Sequence, residues 1–130
     1  MTESSTDPIV VLMTAGSREE AARLADVLVN ARLAACVQIL PEMESVYHWK
    51  GVVERAPEIL LLAKTTAENF AALESTVRSL HSYETPEVIA LPVAAVSAPY
   101  LEWLTANVLH QNREPNQASA AHADGQTPSG

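Results

Sequence analysis

The amino-acid sequence predicts an α+β sandwich of the ferredoxin-like βαββαβ class, extended by a long hairpin and a C-terminal helix. Three observations predict it. Aliphatic runs of strand length alternate with stretches of helical period in the order βαβ, then βαβα. The two halves also answer each other: Ile9-Val10-Val11-Leu12 matches Ile59-Leu60-Leu61-Leu62, and Ile39-Leu40-Pro41 matches Ala90-Leu91-Pro92 one residue out of step. Finally, Lys50-Gly51 lies between two extended stretches and reads as the hairpin tip that joins the copies. A repeated βαβ unit joined by a hairpin is the ferredoxin-like pattern.

Each element has a local cause. Ile9 to Met13 is a continuous aliphatic run, and Ser17-Arg18-Glu19-Glu20 after it forms a capping box. Leu24, Val27, Leu28 and Ala31 then recur at helical spacing, giving a helix to about Arg32. Ala35 to Leu40 is the second strand, stopped or bulged at Pro41. Glu42 to Trp49 resumes extended character, and Val52-Val53-Glu54 returns from the tip. Pro57 interrupts, at an edge or bulge, before the apolar Ile59 to Ala63. Thr65 or Thr66 caps a second helix with Phe70, Leu73, Val77 and Leu80 on its apolar face. The strand Val88 to Val93 follows. A last helix opens on Ser97 with Pro99 in its first turn, where a missing N–H costs little, and turns Leu101, Leu104 and Val108 inward. The first and third strands, the most continuously apolar, belong at the sheet centre.

The domain runs from residue 8 to 109, with residues 1–7 a flexible N-terminus. Residues 110–130 lack any apolar period and read as a disordered tail, with His110 and His122 solvated. Eight basic and sixteen acidic residues give a net charge of −8. That balance argues against a nucleic-acid or anionic-membrane surface, which needs clustered Lys and Arg. No apolar run approaches the roughly 18 residues of a membrane span. The single Cys36, in the context Ala34-Ala35-Cys36-Val37, reads as a buried structural thiol in a cytoplasmic protein. No glycine-rich phosphate loop, Gly-x-Ser-x-Gly elbow, HExxH helix or CxxC pair occurs, so an enzyme is not expected.

The stretch from Ala35 to Glu54 is long for so small a sheet. Its outer part carries Val46, Tyr47, Trp49 and Val52 beyond the reach of the helices. An exposed aromatic hairpin with free edges invites aggregation unless another chain covers it. A closed homo-oligomer is therefore expected, against the alternative that Tyr47 and Trp49 fold back onto their own subunit.

Three stretches together carry a specific resemblance: Arg32-Leu33-Ala34-Ala35-Cys36-Val37 through Pro41, Ser45-Val46-Tyr47-His48-Trp49-Lys50-Gly51, and His81-Ser82-Tyr83-Glu84-Thr85-Pro86-Glu87 into Val88-Ile89-Ala90-Leu91-Pro92-Val93. Lys64-Thr65 and Tyr100-Leu101-Glu102-Trp103-Leu104 belong to the same pattern. The chain resembles the CutA family, the divalent cation tolerance proteins, from Ile9 to about Val108. The resemblance implies a homotrimer joined through the hairpins, a role in divalent metal tolerance, and kinship of fold with PII-type trimeric regulators.

It also implies where chemistry sits. The copper site attributed to some members uses a Cys at the end of the first strand and two successive His before the Tyr; here those positions read Met13, Leu80 and His81. Copper or another divalent cation held by His81 and Met13 is thus expected to bind weakly. A thioether suits Cu(I) and poorly suits Zn(II) or Cu(II). Otherwise His81 caps the preceding helix and bonds locally. A second constellation, Tyr47, Trp49, Lys50, Lys64, Tyr83, Glu84 and Glu87, matches positions around the cleft between subunits. It either walls a site for a small charged metabolite, as in a PII-like regulatory module, or packs the trimer. A structural scaffold for protein partners is the third reading.

Overall fold

The computed structural model describes residues 6–111. Its elements are β1 (Pro8–Ala15), α1 (Arg18–Asn30), β2 (Cys36–Trp49), β3 (Val52–Thr66), a 3-10 turn (Ala67–Asn69), α2 (Phe70–Leu80), β4 (Val88–Pro92) and α3 (Ala98–Ala106). One four-stranded sheet runs in the order β2-β3-β1-β4, with every neighbouring pair antiparallel. The aliphatic strands β1 and β3 are central, as their continuous apolar runs required. Each βαβ unit is split by a strand of the other, the ferredoxin-like arrangement.

Register assigns the two sheet faces. Val11 pairs with Ala63 and with Ala90, and Met13 pairs with Leu61 and with Val88. Paired residues share a face, so Ile9, Val11, Met13, Ala15, Ile59, Leu61 and Ala63 form one buried layer. It packs against Ala21, Leu24, Ala25 and Leu28 of α1 and Leu73 and Val77 of α2. Phe70 and Leu80 flank this core partly buried. The face turned away from α1 and α2 carries Val10, Leu12, Leu60, Leu62, Ile89 and Leu91. Ile89 and Leu91 there remain 48% and 44% exposed.

Turns follow local chemistry. Ser17 caps α1, its hydroxyl accepting from the Glu20 N–H at 3.1 Å. The helix ends two residues before the expected Arg32 in a Schellman closure, with Leu33 N–H on the Leu28 carbonyl and Arg32 N–H on the Val29 carbonyl. Arg32 occupies the left-handed position with φ 61°. Lys50 and Gly51 have φ 51° and 81°, so the hairpin tip is a two-residue turn of the twist-matched primed type. Between Ile39 and Glu42 the β2 register gains one residue on β3, the bulge expected at Pro41.

Two expectations for these strands are corrected. Pro57 does not interrupt β3, which runs unbroken opposite Glu44. The edge position of Pro57 is as expected: β1 ends opposite Ile59, so beyond that point one edge of β3 has no sheet partner, and a proline lacking N–H is tolerated there. Cys36 is not fully buried: it opens β2 directly across from Lys64 and is half-buried.

α3 is capped by Ser97, whose hydroxyl accepts from the Tyr100 N–H; it buries Leu104, and Val108 just past its end is buried as well. Its exit is tied to the domain by Leu109 N–H on the Arg32 carbonyl and by Asn69 Nδ2 on the Leu109 carbonyl. His110, expected to be solvated, sits in this corner with Nδ1 3.2 Å from Glu68 Oε2. The remainder of the expected tail, with His122, and the first five residues of the N-terminal segment lie outside the described residues.

Candidate functional site

The segment between α2 and β4 has to leave a helix and enter a strand within seven residues, and it is anchored at both flanks. His81 ends α2, its N–H bonded to the Val77 carbonyl. The chain then presses Ser82 onto Glu20 of α1. The Glu20 carboxylate accepts from Ser82 N–H at 2.7 Å, from the Ser82 hydroxyl at 3.1 Å and from Gly16 N–H at 3.3 Å. Glu20 lies one turn before Leu24 on the buried stripe of α1, so a carboxylate there needs such donors. Burial alone pushes its pKa up. The bonds from Ser82 and Gly16 outweigh that and hold it below the ordinary carboxylate value.

The His81 side chain is fully buried. Its Nε2 lies 2.7 Å from the Thr14 carbonyl, an acceptor, so Nε2 carries a proton. Tyr83 N–H donates to Nδ1 at 3.0 Å, so Nδ1 is bare. The imidazole is therefore neutral, and the 3.4 Å approach of Nδ1 to Glu20 Oε2 is not an ion pair in this tautomer. His81 does close α2, but through its main-chain N–H on the Val77 carbonyl; its ring reaches across to the Thr14 carbonyl of β1 and accepts the nearby Tyr83 N–H, so only part of its bonding is local.

Tyr83 closes the arrangement. Its ring lies 4.7 Å from that of His81, and its hydroxyl donates to Glu58 Oε2 at 2.9 Å, while the Ser45 hydroxyl donates to Glu58 Oε1 at 2.7 Å. The loop after α2 is thus latched to both strands of the hairpin. Burial, the bond to Glu58 and its negative charge push the Tyr83 phenol up to about 12. A Cβ at Gly16 would come within 3.2 Å of the Tyr83 hydroxyl, so the absence of a side chain there makes room for the latch.

The expected metal donors do not fit a resident ion in this geometry. Met13 is wholly buried in the core layer, and both His81 nitrogens already have partners. Among the described residues no group of three or more His, Cys, Asp or Glu side chains is placed to hold a metal.

The second constellation is spread along one protomer. Tyr47 and Trp49 stand exposed near the hairpin tip, Trp49 at 51%, and the Lys50 ammonium lies 5.9 Å from the Trp49 ring centroid. The two aromatics do not fold back onto their own subunit. Lys64 sits half-buried on the face turned away from α1 and α2, in register with Val10 and Cys36. Glu84 and Glu87 are exposed on the latched loop. A recess of about 360 Å³ at the base of the hairpin, lined by Glu42, Met43, Glu44, Arg55, Ala56 and Pro57, includes none of the expected site residues.

Sequence reasoning passed over Glu20, Ser45 and Glu58. The signal for Glu20 was available: an acidic residue in helical register with Leu24 and Leu28 must find donors. Glu58 and Ser45 carried no such signal.

Comparison with known proteins agrees with this architecture. The family profile described as CutA1 divalent ion tolerance protein matches residues 9–107. The divalent-cation tolerance protein CutA of Thermus thermophilus is 48% identical over 98 residues, spanning 75% of this chain and 95% of that protein. The chloroplastic protein CutA 1 of Oryza sativa is 44% identical over 103 residues, 79% of this chain but 58% of that longer protein. The crystal structure of CutA1 from Oryza sativa superposes with a TM-score of 0.78 at 43% identity, covering 82% of this chain and 98% of that one. No helix among the described residues is long and apolar enough to cross a membrane.

Proposed function

The chain belongs to the CutA1 divalent ion tolerance family, and from that premise we propose that it acts in tolerance of divalent metal ions, as a cytoplasmic homotrimer without a catalytic step. The observation that carries this reading is the match from the first strand through the last helix, shared with relatives named for divalent-cation tolerance. The assembly is supported by the apolar surface a lone protomer leaves in water. Ile89 and Leu91 on the outer sheet face, and Val46, Tyr47, Trp49, Val52 and Val53 on the hairpin, are all more than two-fifths exposed. Neighbouring copies laid against that surface bury it and bring the hairpin aromatics beside Lys64 and the loop of Tyr83, Glu84 and Glu87.

Copper or another divalent cation associates at most weakly through His81 and Met13. A cation has to take the Nδ1 lone pair from Tyr83 N–H and draw a thioether out of the core. Titration calorimetry with Cu(I) and Cu(II) tests this point. Weak heats that disappear in His81→Ala agree with it; tight, saturable binding that survives His81→Ala rules it out. A metabolite held by Tyr47, Trp49, Lys50, Lys64, Tyr83, Glu84 and Glu87 is the subordinate reading, and thermal-shift stabilisation by a small anion or nucleotide is its mark. The tolerance role is tested in a bacterial strain lacking its own CutA1-family protein. Expression of this chain restores growth in excess copper or zinc, and no restoration by a well-folded product contradicts the proposal.

A further inference from the structure

His110 is the first residue past the part of the chain in which a role was expected, yet its ring is tied on both sides. Nε2 lies 3.0 Å from the Thr105 carbonyl of the preceding helix, and Nδ1 lies 3.2 Å from Glu68 Oε2 of the 3-10 turn. A carbonyl and a carboxylate are both acceptors, so both bonds exist together only when both ring nitrogens carry hydrogen. In this geometry His110 is an imidazolium, the opposite of His81, whose Nδ1 receives an N–H.

The carboxylate it faces is the hub of the corner. The Glu68 side chain is 2% exposed. Its Oε1 accepts from Gln111 N–H at 3.0 Å, and its Oε2 also receives the Thr66 hydroxyl at 3.4 Å. Beside it the fully buried Asn69 donates from Nδ2 to Thr66 Oγ1 and to the Leu109 carbonyl, and accepts Gln111 Nε2 at 2.7 Å. These partners are neutral. The charged residues Asp7 and Arg32 meet the corner through main-chain carbonyls, which take Ala67 N–H and Leu109 N–H. Glu68 is thus the ionisable side chain in hydrogen-bond contact with His110. A buried carboxylate that loses its cationic partner keeps its charge with less compensation.

We propose that His110 and Glu68 form a proton-operated clasp that fixes residues 109–111, the root of the C-terminal segment, to the domain. With the imidazole doubly protonated the clasp is closed. When one proton leaves, one ring nitrogen turns a lone pair toward an acceptor, and either the Glu68 or the Thr105 bond breaks. Among the described contacts, Gln111 is then held by its side-chain bond to Asn69 and its N–H on Glu68. The sign follows from proton count: the closed form binds one more proton, so acid favours it and rising pH opens it.

The test is NMR on the full-length protein labelled with nitrogen-15, at about pH 5.5 and about pH 8, spanning the ordinary imidazole range. At the lower pH both His110 ring nitrogens resonate as protonated species, and the Gln111 amide shows the rigid relaxation of the domain. At the higher pH one ring nitrogen loses its proton and Gln111 relaxes as a mobile residue. In His110→Asn, which cannot titrate, Gln111 behaves the same at both pH values. Glu68→Gln gives a second check, because it removes the charge that holds the imidazolium and abolishes the pH response. A single-tautomer neutral ring at the lower pH overturns the proposal, as does a Gln111 amide whose mobility is indifferent to pH in the unmodified protein.

Discussion

Replacing Glu20 with Gln changes one atom and removes one charge, and the effect is readable from the donors around it. One carboxylate oxygen takes Ser82 N–H at 2.7 Å; the other takes Gly16 N–H at 3.3 Å and the Ser82 hydroxyl at 3.1 Å. The amide of Gln keeps its oxygen on Ser82 N–H, where the bond is shortest. Its NH2 then donates to the Ser82 hydroxyl and points at Gly16 N–H, which loses its partner. The surviving bonds also lose their charge assistance. A hydrogen bond to a charged group contributes about 1.5–3 kcal/mol and an orphaned donor costs about 1–3 kcal/mol, so Glu20→Gln destabilises by about 2 kcal/mol. The assay is urea unfolding of both proteins at equal protein concentration, since the stability of any oligomer depends on concentration. The pH dependence supplies a second reading. The folded state holds the Glu20 pKa below its ordinary value, so its contribution is present above about pH 4.5 and is lost as pH falls through the folded value. The gap between the two proteins therefore narrows in acid. A variant within about 0.5 kcal/mol of the parent at neutral pH, or a gap that does not narrow, refutes the assignment of Glu20 as the anchor of the loop.

Other outcomes follow from the same contacts. Tyr83→Phe removes the hydroxyl that joins the loop to Glu58, costs about 1–2 kcal/mol in the same urea assay, and raises hydrogen exchange across residues 82–87. In the parent protein the Tyr83 phenol is raised from an ordinary 10.0 to about 12, so its contribution is complete below pH 10 and is lost as pH climbs toward 12; alkaline unfolding curves of Tyr83→Phe lack that loss. Gly16→Ala places a methyl group 3.2 Å from the Tyr83 hydroxyl and lowers the melting temperature, an effect relieved when Tyr83→Phe is combined with it. Arg32→Gly relaxes a left-handed backbone position and stabilises by about 0.5–1 kcal/mol in urea unfolding.

The strands and their order were legible because burial writes itself into apolar runs. β1 and β3 are buried from both edges and read as nearly unbroken aliphatic stretches, and the Lys50-Gly51 tip is marked by the residue type that a positive φ favours. Pro57 was legible as an edge residue but not as part of a continuous strand, because a proline breaks pairing only where its N–H is needed, and how far β3 runs past the end of β1 is not written locally. The site was legible in part. The loop from His81 to Tyr83 stands out as polar and short, but its anchors do not. Glu20 and Ser82 are 62 residues apart in sequence, and Tyr83 and Glu58 are 25 apart. Such pairs have no local period or spacing. His81 looked like a free ligand because sequence shows a side chain and not the Thr14 carbonyl and Tyr83 amide that occupy it. His110 looked idle for the same reason, since its partners come from Glu68 and Thr105, brought together by the docking of α3.

The proposed association of copies across the hairpin and the outer sheet face would tie the exposed aromatics, Lys64 and the latched loop into one functional unit. Sedimentation equilibrium of the purified protein measures it directly. The account predicts a single species of three times the 14.0 kDa chain mass, and a species sedimenting at the mass of one chain contradicts it.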